Sequence, residues 1–200
     1  MSQTKEFILK TAFSLFIQKN FKAVTLKEIV DKTGLSKGAF YHYYTSKEKL
    51  FFEVVNTFFF KAILIDYNRL RKSSLKEFYT DYANHVQKNI KELKEDFFLG
   101  DPEVNINFVN ILFDAINLFP GFREKLLKTF DDEIIAWTKM ITIARRNNEF
   151  KSPMTDEQIA RMFIYSSDGI SLRLLFEGRL DFTHSEMLTL WDNFYEEIKN

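Results

Sequence analysis

Apolar residues recur at three- and four-residue steps along most of the chain, so the pattern predicts helices throughout and no strands. The first helix is predicted from about Ser2 to Lys19. Ile8, Ala12 and Leu15, flanked by Leu9, Phe13 and Phe16, give it a broad apolar face, and Asn20 supplies a stop. Three helix starts then follow within Thr25–Leu50. Thr25 with Glu28 three residues on reads as a capping box, and Ser36 and Ser46 are further N-cap candidates. Between the first two, Thr33-Gly34-Leu35 places a glycine where left-handed backbone can end one helix and turn into the next. A short helix, a glycine turn and a second short helix make a helix-turn-helix, whose second helix is the one that enters a DNA major groove.

The side chains of that second helix suit such a groove. Phe40 and Leu35 are the expected inward anchors, met by Ile29 and Val30 from the first helix of the pair. Gly38 and Ala39 add almost no bulk, so backbone could approach base edges. Lys37, Tyr41 and His42 carry donors for phosphate oxygens, and Lys47 adds charge at a helix N-terminus. With the capping hydroxyls of Thr25 and Ser36, these form the candidate DNA-binding set: Thr25, Ser36, Lys37, Gly38, Ala39, Tyr41, His42 and Lys47. A solvated polar face on a small helical core is the blander reading of the same stretch.

Beyond Ser46 a long helix is expected, with Leu50, Phe51, Val54, Val55, Phe58, Ala62 and Ile65 in helical period and Arg69, Arg71 and Lys72 at its negative end. Ser74 with Glu77 opens a helix over about 75–95. Gly100-Asp101-Pro102 marks a break, with Asp101 as cap. The segment 103–119 is apolar on most sides and reads as a central buried helix, ended by Pro120-Gly121. A long helix follows over about 122–148. Thr155 with Gln158 caps the next, and Gly178 stops it. Thr183 with Glu186 caps the last, on which Met187, Leu190, Trp191, Phe194 and Ile198 form one stripe.

Composition narrows the function classes. At 46% hydrophobic with 23 Phe, 200 residues have ample material for a core. No cysteine is present, which rules out disulfides, thiolate metal sites and a cysteine nucleophile and is compatible with a reducing cytoplasm, the expected location. The start, Met1–Lys10, is polar and charged, unlike a signal peptide. The apolar run 50–65 is interrupted by Glu53, Asn56, Thr57 and Lys61, so no membrane span is expected. His42, His85 and His184 lack metal-ligand spacing, and phosphate-loop and nucleophile-elbow signatures are missing. A catalytic site, a metal and a cofactor are therefore not expected. The zero net charge hides an asymmetry: residues 1–50 hold nine Lys against four acids, and the remainder is acidic by the same margin. A basic front on an acidic body suits contact with a polyanion at one end.

The run GLSKGAFYHYYTSKEKLF, residues 34–51, resembles the DNA-binding signature of TetR-family transcriptional regulators. Gly34, Ser36, Gly38, Tyr41, Tyr44, Lys47, Glu48 and Leu50 fall on the pattern, and the likeness extends from about Phe7 to Val55. Val30 and Thr33 depart from it, standing where members commonly carry Ala. The resemblance implies an all-α fold: an N-terminal three-helix DNA-binding domain over residues 1–46, joined to a helical effector-binding and dimerisation domain over 47–200. It implies double-stranded DNA, a small-molecule effector and a second copy of the chain as partners. An effector cavity among the middle helices would be lined by Phe58, Tyr82, His85, Phe108, Phe113, Trp137 and Tyr165, favouring an apolar or aromatic molecule. A dimer interface on the last two helices would use Ser166, Ile170, Leu174, Met187, Trp191 and Phe194, with small residues such as Ser166 and Gly169 admitting close approach. The implied function is a ligand-responsive repressor. Two alternatives from other classes are a helical small-molecule binding protein without sequence-selective DNA binding, and a module that docks proteins through its head.

Overall fold

The structure, a computed structural model, describes residues 2–97 and 102–200. The described residues form the helices α1 (Gln3–Ala23), α2 (Leu26–Thr33), α3 (Lys37–Tyr43), α4 (Lys47–Val54), α5 (Phe60–Ile63), α6 (Leu75–Phe97), α7 (Pro102–Leu118), α8 (Phe122–Arg146), α9 (Asp156–Phe176) and α10 (Thr183–Ile198). A π-helical turn, Val55–Phe59, joins α4 to α5, and a 3-10 turn, Leu180–Phe182, precedes α10. The expected break at Gly100 and Asp101 lies outside the described residues. The chain divides into two compact units, Met1–Ile63 with Leu93–Arg123, and Leu64–Glu92 with Glu124–Asn200.

The first unit is built on α1, which packs on α2, α4 and α7. Its interior is largely phenylalanine: Phe13 stacks on Phe58 at 5.0 Å, and Phe51 takes Phe16 edge-on at 5.0 Å and Phe21 at 4.4 Å. Ring pairs in these geometries add about 0.5–1.5 kcal/mol each beyond the burial of their area. Helical geometry breaks at Asn20, with φ 63° and ψ 166°, a region otherwise kept for glycine. The Asn20 side chain compensates by accepting from the Ala23 N–H at 3.1 Å.

Three expectations fail between α4 and α7. The long helix after Ser46 ends at Ile63, after the π-turn, and residues 64–74 are irregular. There Asp66 accepts from the Asn68 N–H at 3.1 Å, a local turn that competes with helix. Arg71, expected to neutralise a helix end, instead forks onto Asp81 at 2.7 Å and Glu77 at 2.8 Å on α6. Helix α7, apolar on most sides and expected to be a central buried helix, buries Ile111 and Ala115 but leaves Ile106 52% and Phe113 57% exposed.

In the second unit, α6, α8, α9 and α10 close around Trp137, which stacks on Phe163 at 5.0 Å and meets Phe78, Tyr82 and Trp191 edge-on. Arg145 locks the turn between α8 and α9, bonding Asp156 at 2.6 Å and the carbonyls of Ser152 and Met154. Thr155 and Gln158 make the full reciprocal cap expected of them. Thr183 does not cap α10. The helix is entered straight from the 3-10 turn, so Thr183 already has helical backbone and its side chain is buried with an unpartnered hydroxyl.

Candidate nucleic-acid interface

Residues 25–46 place a helix-turn-helix with each N-cap hydroxyl engaged, while the expected capping box of Thr25 and Glu28 is made only on the Thr25 side. The Thr25 hydroxyl accepts from Glu28 N–H at 3.1 Å, while the Glu28 carboxylate is drawn to Lys19 at 2.6 Å. Helix α2 ends at Gly34, whose φ of 65° is the left-handed conformation that a side chain would disfavour. Ser36 Oγ accepts from Ala39 N–H at 3.3 Å to start α3, and Ser46 Oγ accepts from Lys49 N–H at 3.2 Å to start α4. The two departures from the family pattern are absorbed inside α2. Val30 and Thr33 are both buried, and the Thr33 hydroxyl donates to the Val30 carbonyl at 2.8 Å.

Helix α3 has one buried side chain, Phe40, fully enclosed. Ser36, Lys37, Gly38, Ala39, Tyr41, His42 and Tyr43 are all exposed, so one short helix and its cap present a hydroxyl, an ammonium, two phenols and an imidazole around a nearly bare stretch of backbone. A Cβ added at Gly38 would meet nothing within 4 Å. Such a surface can reach phosphate oxygens with its flanks and base edges with its tip.

Lys47 is placed differently from expectation. Its Nζ donates to the carbonyls of Phe21 at 2.9 Å and Val24 at 2.8 Å and lies 4.3 Å from the centre of the Phe21 ring. Carbonyls at the end of α1 are left over by the helix ladder, and the ammonium satisfies them. One of its three N–H donors remains for a phosphate. Lys47 is thus a clasp between α4 and the end of α1, as well as a candidate DNA contact.

A model of bacterial regulatory proteins of the tetR family matches residues 8–54, which span the caps, the glycine turn and the exposed helix. The likeness to the tetR family is therefore carried by residues 8–54 of the 200. It is 27% identical over 161 residues to an uncharacterized HTH-type transcriptional regulator, YerO, of Bacillus subtilis, a match covering 73% of this chain and 53% of that protein. It is 33% identical over 54 residues to the HTH-type transcriptional repressor KstR2 of Mycolicibacterium smegmatis, covering 27% of this chain and 26% of the repressor. The crystal structure of a TetR-family transcriptional regulator from Agrobacterium tumefaciens shares the fold, with TM-score 0.66 and 18% identity over 98% of each chain.

Outside residues 8–54, the candidate effector and interface residues are spread over both units. Of the candidate effector residues, Phe58, Phe108 and Phe113 belong to the first unit and Tyr82, His85, Trp137 and Tyr165 to the second. Phe58 and Phe108 are part of the phenylalanine packing around Phe13, and Tyr82 and Trp137 are in the ring core. His85 is half-buried, whereas Phe113 and Tyr165 face solvent, 57% and 55% exposed. On the last two helices, Leu174, Met187 and Trp191 are buried within their own chain, and Ser166 accepts from the Trp191 indole N–H at 2.8 Å. Ile170 and Phe194 also pack against that core. All six contribute to packing within the chain, Ser166, Ile170 and Phe194 while only half-buried, and α9 is apolar on a second face as well. Its outer face carries Met162, Tyr165, Leu172 and Phe176, each about half exposed, with Gly169 between them.

One residue of the first unit had no motif to mark it. Glu53, legible only as a charge interrupting an apolar run, accepts from the Tyr44 hydroxyl at 2.8 Å through one oxygen and pairs with Lys5 at 2.6 Å through the other.

Proposed function

We propose that this chain is a dimeric, ligand-responsive DNA-binding transcriptional regulator of the TetR family, a repressor released from a near-palindromic operator by a small apolar or aromatic effector. In this reading residues 1–46 bind DNA and 47–200 take the effector and the second copy. The observation that carries it is α3: seven residues with only Phe40 turned inward and a compact set of donors outward. Tyr41 and His42 would hold phosphates, Lys37 and the bare backbone at Gly38 and Ala39 would meet base edges, and Thr25, Ser36 and Lys47 would fix the register. Repression follows the sign carried by the name of KstR2.

Dimerisation, in the same reading, uses the outer face of α9. Met162, Tyr165, Gly169, Leu172 and Phe176 follow alternating steps of three and four residues, the spacing that lets two helices interlock along a seam. Leu190 on α10, 48% exposed, extends the apolar surface. Two copies would then offer two recognition helices to half-sites about one DNA turn apart. An effector releases DNA only by binding the non-DNA geometry more tightly, since equal affinity for both shifts nothing.

Selection of bound sites from a random duplex DNA pool tests the reading. The parent is expected to recover an inverted repeat that Tyr41→Ala does not. Recovery of random, salt-sensitive sequence alone would reduce the head to a basic surface and shift the weight to a small-molecule binding protein without DNA selectivity.

A further inference from the structure

The recognition helix is short and needs holding at both ends. At its start, Ser36 caps it, and midway Phe40 anchors it to the interior. At its end stands Tyr44, whose N–H closes the last turn onto the Phe40 carbonyl at 3.1 Å. Tyr44 is 3% exposed, and its hydroxyl leaves α3 altogether to donate to Glu53, in the last turn of α4. The second oxygen of the same carboxylate holds Lys5 of α1. One side chain therefore ties three helices of the first unit. Tyr44 is well placed to donate whatever the working pH, because burial, and then the carboxylate, push its hydroxyl far above the usual tyrosine range.

We propose that Glu53 is a positioning residue for DNA recognition: through the Tyr44 hydroxyl it sets the angle at which α3 presents its side chains. The inference rests on the DNA-binding reading and adds to it a residue that faces no DNA. Helix α3 is about 10 Å long, so a slip of about 1 Å at its far end tilts it by about 6°. Hydrogen bonds to base edges are steeply directional, whereas phosphate contacts through flexible Lys and Tyr side chains absorb such a tilt. Loss of the tie should therefore relax discrimination between sequences more than it weakens electrostatic attachment. Lys47 fastens the other end of α4 to α1. Movement of α4 thus has a direct route to α3 through Glu53, ahead of the π-turn at Val55–Phe59. π-Turns are rare and concentrate at functional places in helices.

The test uses the full-length protein and the duplex that the parent selects from the random pool, with single-base variants of that duplex beside it. Tyr44→Phe keeps the ring and removes only the donor. It is expected to bind the selected duplex about tenfold more weakly, a loss typical of a hydrogen bond to a charged group, while losing much less on the mismatched duplexes, and to keep the parental salt slope. Glu53→Leu should match it, and the double variant should lose no more than either single. Glu53→Gln retains an acceptor for Tyr44 and is expected to restore most of the discrimination, although it gives up the pair with Lys5. Binding is measured where circular dichroism shows each variant folded like the parent. A mere loss of folded protein would lower affinity for every duplex by the same factor, and that uniform result overturns the proposal. Parental discrimination in Tyr44→Phe, or additive losses in the double variant, does the same. A parent that selects no preferred sequence instead removes the DNA-binding reading, and the inference with it.

Discussion

The two compact units bury aromatic rings by different means. In the first, Phe13, Phe16, Phe21, Phe51, Phe58, Phe59 and Phe60 pack ring on ring, and a phenyl ring brings no polar atom that must find a partner. In the second, the buried rings are mainly Tyr and Trp, and each brings one. Tyr79 donates to Asp192 at 2.5 Å, Tyr82 to Glu133 at 2.9 Å and the Trp191 indole to Ser166 at 2.8 Å. The Trp137 indole N–H and the Thr183 hydroxyl are buried without a partner. Shape governs the phenylalanine packing of the first unit, while the second interior also depends on hydrogen bonds and protonation. The polar work of the first unit falls on its caps, on the Tyr44–Glu53–Lys5 tie and on the exposed face of α3.

The comparison breaks most directly in the second core. Phe163 is fully buried between Trp137, Tyr79 and Trp191. Phe163→Ala is expected to cost about 3–5 kcal/mol, the usual loss for a large ring in a close-packed core, read from urea unfolding followed by circular dichroism. A loss below about 1 kcal/mol would mean the rings surround space rather than each other, and would make this cluster a ligand cavity.

A second large effect separates the two faces of α9. Leu172→Glu changes a residue 48% exposed, so the fold should survive while the dimer dissociates, read by sedimentation velocity. A dimer that persists in Leu172→Glu would move the interface elsewhere. Leu174→Glu, on the buried face, should unfold the chain instead, which distinguishes the two faces within one helix.

How much could be read in advance follows the same division. The head was legible because its signals are local: Thr25, Gly34, Ser36 and Ser46 each act on backbone within a few residues, and such caps do not depend on the rest of the fold. The body was legible as helices but not as faces. Helix α9 has apolar residues on two sides, Phe163 and Leu174 inward and Leu172 and Phe176 outward, and periodicity cannot say which side meets the chain's own core. Helix α7 misled in the same way. The end of the helix after Ser46 was lost to an Asp66 turn that competes weakly in sequence and wins in context. Glu53 and Lys47 join positions nine to forty-eight residues away, beyond the reach of any local motif.

A smaller effect tests whether protonation distinguishes the second interior. Burial pushes the Glu133 carboxyl above its ordinary range, with Asp168 adding to the rise and the Tyr82 and Tyr67 hydroxyls opposing it. The folded chain then holds a proton that the unfolded chain has released. Stability falls as pH climbs from the ordinary glutamate value, about 4.3, through the raised one, because the native state binds more protons across that interval. Glu133→Gln removes this slope, so it should gain on the parent above the interval and show no gain below it. Asp168 is also raised by burial and couples to Glu133, so the difference between the two proteins reports Glu133 together with that coupling. Parallel pH–stability curves from thermal melts would remove Glu133 from the account.

The smallest expected change in stability falls on the first unit's surface, at Gly38. A methyl group there meets nothing in the free protein, and replacing a helical glycine by alanine gains roughly 0.5 kcal/mol through the unfolded chain. Gly38→Ala should therefore melt slightly higher than the parent. If α3 brings its backbone close to base edges, the same methyl group would intrude on DNA and weaken binding to the selected duplex severalfold. Opposite signs for stability and binding would show that this glycine serves the partner and not the fold. If binding instead rises with stability, the backbone at Gly38 keeps its distance, and recognition rests on the longer side chains of Lys37, Tyr41 and His42.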